Sequence, residues 1–137
     1  MISEKWVKEM IKKVVFPCFM PGGLASRVSL QFGRSEAFTM VTLKDEEISE
    51  VEVLQNFTSP PKGGAGVRAV KTIISLNPTD LILYKIGPNA FDSINKTEIK
   101  IYGLEVGESL NIKQALDQFN KGNINILEKA NAIPHPP

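Results

Sequence analysis

Apolar residues recur at helical spacing at the start of the chain, where Ile2, Trp6, Val7, Met10, Ile11 and Val14 share one face and Glu4, Lys5, Lys8 and Glu9 take the other. With Ser3 as a candidate cap, this pattern predicts a short amphipathic helix over residues 1–13, covering part of the core or meeting a partner. Lys13 to Phe19 then reads as a buried strand, rich in β-branched and aromatic side chains, with Pro17 predicting a bulge or an early end because it lacks a ladder donor. Ala37–Leu43 and Ile48–Leu54 are further strand-like runs around the polar turn Lys44-Asp45-Glu46-Glu47. Val51 and Val53 alternate with Glu50 and Glu52, the pattern of a hairpin with one wet face.

Beyond the breaker-rich segment Asn56 to Gly64 the period lengthens again. Val67, Val70, Ile73 and Ile74 fall on one helical face, and Asn77-Pro78 stops it. Leu81-Ile82-Leu83-Tyr84 has no polar alternation and predicts a strand covered on both faces. Pro88 suits a first helical turn, with Ala90, Phe91 and Ile94 as its apolar side, before a strand at Ile99–Tyr102. Asn111 and Gln114 fit a capping box ahead of Ile112, Leu116 and Phe119, and Gly122 ends that helix. From Asn123 the chain reads as an increasingly disordered tail. Strands followed by strand–helix–strand crossovers imply a mixed α/β sheet, the first three strands meandering and the last two parallel to the first, with helices on the faces.

The 137 residues suit one domain, and 42% hydrophobic with 23% charged residues is a globular composition. Sixteen Lys and Arg against fifteen Asp and Glu leave a formal charge of +1, so neither nucleic acid nor a membrane surface is called for as a partner. The apolar run Val14–Met20 is far shorter than the roughly 20 residues of a membrane span, and nothing reads as a signal peptide, so cytoplasm is the expected compartment. The lone cysteine, Cys18, makes no intramolecular disulfide, and there is no Cys/His cluster for zinc or a whole iron–sulfur cluster.

Chemistry concentrates in three loops expected to meet at the carboxyl ends of the parallel strands: Met20–Ser35, Phe57–Gly64 and Ile86–Asn89. Lys62-Gly63-Gly64-Ala65-Gly66 at a helix start, and Ile86-Gly87-Pro88-Asn89 at another, offer backbone amides and dipole to an anion, or simply allow tight packing. The first segment matches neither a Walker loop nor GxGxxG. Arg27 and Arg34 bracket the first loop as anion-binding candidates, the alternative being a plain surface arginine or one paired with Glu36.

Ser26-Arg27-Val28-Ser29 with Phe32-Gly33-Arg34, then Gly63-Gly64-Ala65-Gly66, Ile86-Gly87-Pro88-Asn89-Ala90-Phe91 and Gln114-Ala115-Leu116 resemble successive signatures of the dinitrogenase iron–molybdenum cofactor biosynthesis family, of NifX, NafY and NifB C-terminal type. The resemblance covers residues 14–127, leaving 1–13 as an N-terminal extension and 128–137 as a tail. It implies a ribonuclease-H-like motif, a mixed five-stranded sheet with helices on both faces. It also implies a non-catalytic carrier for an anionic iron–sulfur or iron–molybdenum cofactor precursor, with cofactor-synthesis or acceptor proteins as partners. The implied cofactor-binding set is Arg27, Gln31, Arg34, Lys62, Gly63, Gly64, Gly66, Gly87 and Asn89. Where cofactor-binding members commonly carry histidines, this chain has Gln31 and Lys62. An amide ligates iron poorly and a protonated lysine has no lone pair to give, so Cys18 is left as the candidate metal ligand, with core packing as its alternative.

Two rivals follow. A nuclease of this motif needs converging carboxylates, and Lys13–Phe19 has none, so the reading survives only if Asp80 and Glu36 meet. A nucleophilic Cys18 needs a base, and His135, the sole histidine, lies in the tail. The remaining alternative is a metal-free binding or regulatory module that recognises another anion or a protein.

Overall fold

In a computed structural model, the structure describes residues 10–56 and 65–132. Residues 1–9 of the helix expected over 1–13, the loop Phe57–Gly64 with Lys62, Gly63 and Gly64, and His135 lie outside the described residues. The elements run β1 (Ile11–Cys18), β2 (Ala37–Lys44), β3 (Glu47–Gln55), α1 (Ala65–Leu76), β4 (Asp80–Leu83), α2 (Pro88–Asn95), β5 (Lys100–Gly103), α3 (Ile112–Asn120) and β6 (Asn125–Ile126).

They form one six-stranded mixed sheet, ordered β3-β2-β1-β4-β5-β6. β1, β2 and β3 meander antiparallel, β4 lies parallel to β1, β5 parallel to β4, and β6 returns antiparallel to β5. The chain thus builds outward to one side of β1 and later to the other, which makes the β1/β4 boundary the switch point of the sheet. The sixth strand corrects the expected five. It arises in the supposed tail, where Tyr102 pairs with Ile126 and Gly103 with Asn125.

Period-two alternation sorts the core into two layers. Val14, Phe16, Val41, Leu43 and Ile82 meet Ile112, Leu116 and Phe119 of α3 on one face. Val15, Phe38, Met40, Leu81 and Leu83 meet Ala69, Ile73, Phe91 and Ile94 of α1 and α2 on the other. Helices therefore cover both faces, as expected. Each fully buried Leu, Ile or Phe contributes about 1.5–3 kcal/mol of transfer free energy, so these layers fix which way every strand faces.

Two local expectations change. Ile11 to Lys13 belong to β1 and not to a helix, because Ile11 pairs with Lys44 and Lys13 with Thr42. β1 also runs through Pro17 in register, Pro17 opposite Phe38, without a bulge. The Pro17 carbonyl accepts from the N–H of Ser29 at 2.8 Å, on the side away from β2. Its nitrogen shares that side, so the β1–β2 ladder loses no donor.

Candidate functional site

From Cys18 the chain takes eighteen residues, Phe19–Glu36, to return to β2, and hydrogen bonds lay this loop down across the carboxyl edge of the sheet. Its first turn needs glycine. Gly22 and Gly23 have φ of +81° and +89°, and a Cβ on Gly22 would lie 2.5 Å from Val53 Cγ1. The Gly23 N–H donates to Thr39 Oγ1 at 3.0 Å, and the Met20 N–H to Glu36 Oε1 at 2.8 Å.

The middle of the loop is laced to the start of α3. Arg27 bridges Asn111, the Val28 N–H donates to the Leu110 carbonyl, and the N–H groups of Ile112 and Lys113 donate to the carbonyls of Ser26 and Leu24 at 2.9 Å each. Asn111 Oδ1 takes the N–H of Gln114 at 2.8 Å while Gln114 Oε1 takes the N–H of Asn111, the expected capping box. Every donor of the first turn of α3 is thereby used, so this helix start has none left for a ligand.

The last part of the loop meets the other helix layer. Gln31 bridges Lys85 in parallel fashion, just past β4, and the Phe32 N–H donates to the Lys85 carbonyl. Val28 is buried in the α3-side layer and Phe32 in the α1/α2-side layer. The loop therefore crosses the switch point from one face to the other. Two residues beyond Lys85 stands Gly87, the N-cap of α2, where no side chain caps the helix and Pro88 is the first residue. Pro88 has no N–H, which leaves the amides of Asn89 and Ala90 as uncapped donors at the positive end of the helix dipole.

Of the candidate residues, the structure thus brings Gln31 beside the Gly87–Asn89 turn through Lys85, and sets Arg27 against the start of α3. Arg27, Gln31, Arg34 and Asn89 are exposed, and a Cβ at Gly87 would meet nothing within 4 Å. Gly66 sits in the first turn of α1, likewise in open space. Among the described residues neither Arg27 nor Arg34 has a carboxylate partner, the single salt bridge being Lys113–Asp117. The Arg34–Glu36 pair does not form; the Glu36 carboxylate is held by the Met20 amide. Two of the three loops meet, and their meeting is a hydrogen-bonded surface laid on the strand ends.

Cys18 belongs to the core, which corrects its place as metal ligand. Its side chain is fully buried in the α3-side layer, and its Sγ is 3.2 Å from Thr39 Oγ1. Burial pushes the thiol pKa up; the Thr39 hydrogen bond works against this and the Glu36 charge with it. With no exposed surface, the sulfur is not presented to a ligand at the strand ends. Among the described residues no group of three or more His, Cys, Asp and Glu stands together to hold a metal ion. Asp80 pairs with Val14 near the start of β1, whereas Glu36 precedes Ala37, the partner of Cys18 at its end. Four residues of strand, about 13 Å, separate those levels, so no carboxylate pair forms.

Sequence reasoning missed two supports of this edge. Asn131 donates through Nδ2 to the Tyr84 carbonyl at 2.6 Å and accepts the Ile86 N–H at 2.8 Å through Oδ1, fixing the approach to Gly87. The Tyr84 hydroxyl donates to the Glu108 carbonyl and accepts the N–H of Leu110 at 3.0 Å, which positions the strand-end segment that Val28 joins. Asparagine in a Pro-poor stretch after Gly122 was a weak signal for the first; the polar tip of a tyrosine in an apolar strand was a fair one for the second.

Comparison with known proteins finds relatives of this fold. An uncharacterized protein of Methanocaldococcus jannaschii is 25% identical over 103 residues, covering 75% of this chain and 85% of that one. The apo form of the orange protein of Desulfovibrio gigas superposes with a TM-score of 0.77 at 24% identity, over 91% of this chain and all of the other, a likeness of fold. A candidate NifB protein from Thermotoga gives a TM-score of 0.70 at 28% identity, over 88% and 97% of the two chains. Residues 12–122 match the model of the dinitrogenase iron-molybdenum cofactor family. A match over that length makes this chain a member of the dinitrogenase iron-molybdenum cofactor family.

Proposed function

We propose that this protein is a non-catalytic cytoplasmic carrier that holds an anionic iron–sulfur or iron–molybdenum cofactor precursor as cargo at the carboxyl edge of its sheet, on a fold of ribonuclease-H-like type. The strand order β3-β2-β1-β4-β5 with β2 antiparallel supports that fold reading. One observation carries the function: the Gln31–Lys85 bridge draws the arginine-bearing loop to the uncapped start of α2. The exposed guanidinium groups of that loop and the uncapped amides of α2 support, as cargo, a large anion held by hydrogen bonds and charge. Among the described residues this edge offers neither thiolate nor imidazole, so cargo stays bound through its outer sulfur or oxygen atoms and leaves without a metal–protein bond to break. That suits a carrier, which must release what it binds to a synthesis or acceptor protein.

The test is anaerobic uptake of a synthetic iron–sulfur cluster capped by small thiolates, followed by its visible absorption after gel filtration. The wild-type chain is expected to retain colour, more weakly as salt rises. Arg27→Ala and Arg34→Ala each remove a charged hydrogen bond worth about 1.5–3 kcal/mol, which is roughly a tenfold to hundredfold loss of affinity. Cys18→Ser retains the colour. A colourless wild-type protein under these conditions overturns the carrier reading. The uncapped amides also fit a second reading, a metal-free module for another anion; uptake of molybdate or phosphate without uptake of the cluster selects it.

A further inference from the structure

β3 ends the sheet, so one of its edges pairs with β2 and the other meets no strand among the described residues. Every residue of β3 except Leu54 is exposed. The strand carries Glu47, Glu50 and Glu52 and no basic residue. Register fixes which face each side chain takes. Glu50 lies opposite Thr42 and Glu52 opposite Met40, on the face of α1 and α2. Val51 lies opposite Val41, on the face of α3, and Val53 shares that face two residues on. These valines are 38% and 42% exposed. Among the described residues neither Glu50 nor Glu52 has a cationic partner, the single salt bridge being Lys113–Asp117. A register shift between Thr42 and Leu43 interrupts the ladder before Glu50. Residues 50–55 are left as a regular edge of about 20 Å, a template for another strand.

We propose that β3 is the docking edge for a partner protein, which adds to residues 50–55 an extended segment alternating lysine or arginine with β-branched apolar residues. The backbones supply the ladder of hydrogen bonds. The basic side chains meet Glu50 and Glu52, and the apolar ones cover Val51 and Val53. A second copy of this chain is the poorer occupant. Antiparallel registers that set valine against valine turn about Val51 or about Glu52, and each puts glutamate directly opposite glutamate. The same carboxylates that repel a second β3 therefore select a strand of opposite charge. This edge is independent of whether cargo binds at the strand ends.

The probe is a dye-labelled Lys-Val-Lys-Val-Lys peptide, blocked at both ends, with Glu-Val-Glu-Val-Glu as its counterpart. Fluorescence anisotropy with the full chain at low salt should show the basic peptide binding roughly tenfold tighter or more, since two cross-strand pairs pass from attraction to repulsion. Added salt should weaken it. Backbone amide shifts should change along β3. Glu50→Lys with Glu52→Lys, both at exposed positions, should reverse the preference with an unchanged far-ultraviolet circular dichroism spectrum. N-methylation of every internal amide of the basic peptide keeps its charge but removes the ladder, and should cost roughly tenfold or more. Equal affinity for the two peptides, binding of neither, a preference the double variant does not reverse, or undiminished binding of the methylated peptide overturns the proposal. So does a concentration-dependent dimer with protected β3 amides, which assigns the edge to a second copy.

Discussion

Asn131 holds Tyr84 by its carbonyl, its Nδ2 donating at 2.6 Å, while the other end of the same amide accepts the N–H of Ile86 at 2.8 Å. The backbones join too, with the N–H groups of Asn131 and Ala132 both donating to the Ile86 carbonyl. This is a side chain standing in for a strand beside Tyr84–Ile86, between the end of β4 and Gly87. Asn131→Ala forfeits two hydrogen bonds, each worth about 0.5–1.5 kcal/mol, so a loss of about 1–3 kcal/mol is expected in urea unfolding. Asn131→Asp keeps the acceptor but turns a carboxylate toward the Tyr84 carbonyl and should be no better. A variant as stable as the wild type would mean that Ile86 is held by its other bonds alone.

The two glycines that open the long loop separate two costs usually confounded. Both have positive φ, +81° at Gly22 and +89° at Gly23, yet a Cβ on Gly23 meets nothing within 4 Å whereas one on Gly22 falls 2.5 Å from Val53 Cγ1. Gly23→Ala is expected to cost about 1–2 kcal/mol, the backbone term only. Gly22→Ala carries that and the collision. Val53→Ala should therefore rescue part of the Gly22→Ala loss and none of the Gly23→Ala loss in a double-mutant cycle. Equal losses for the two glycines, with no rescue, would contradict the contact.

Local pattern made much of this fold legible. Val51 and Val53 alternating with Glu50 and Glu52 announced β3, and Asn111 with Gln114 announced the start of α3 within a residue. What failed was decided over distance. Ile11 and Val14 fit a helical period and a strand equally well, and pairing with Lys44 and Val41 chose the strand. Pro17 looks like a break in any short window, because the side its nitrogen faces shows only in the carbonyl's bond to Ser29. The two residues of β6 are too few to show a period at all.

The site was legible in the same proportion. Glycine at 87 and proline at 88 marked an open helix start from sequence, and the structure keeps it open. The arginines stand out in the sequence as candidates, but their neighbours do not. Arg27 meets Asn111 and Gln31 meets Lys85 through bridges that only the crossing of the loop between the two helix layers creates. Cys18 went the other way, because a strand buried on both faces gives no alternation to say which layer a residue enters.

The capping box offers a separable test of the wall behind Arg27. Asn111→Ala removes the acceptor for the Gln114 N–H and is expected to cost about 1 kcal/mol, while Asn111→Asp or Asn111→Ser should hold most of it. Gln114→Ala breaks only the return bond to the Asn111 N–H and should cost less. Thermal melts of the four variants would rank them. If Asn111→Ala and Gln114→Ala were both silent, the bridge to Arg27 and the bonds to Ser26 and Leu24 would be sufficient to define the helix start.

Alkaline conditions should weaken the protein in two stages, from the thiol and then from the phenol. The Cys18 pKa is raised, chiefly by burial, so the folded state keeps its proton where the unfolded chain has begun to lose it. The stability this contributes is full below the ordinary thiol value of about 8.5 and is lost as pH rises toward the folded value. The Tyr102 pKa is also raised, by burial first and then by the charge and hydrogen bond of Asp80, which adds a loss beginning near pH 10. Urea midpoints measured from neutral pH to about pH 10 should therefore fall, and the earlier part of the fall should be absent in Cys18→Ala, which has no thiol to titrate. A thiol reagent offered to the native protein near neutral pH should react only as fast as the protein opens, because Sγ lies in the core beside Thr39. Immediate stoichiometric labelling would put the sulfur at the surface, and with it would return the metal-ligand role that burial removes.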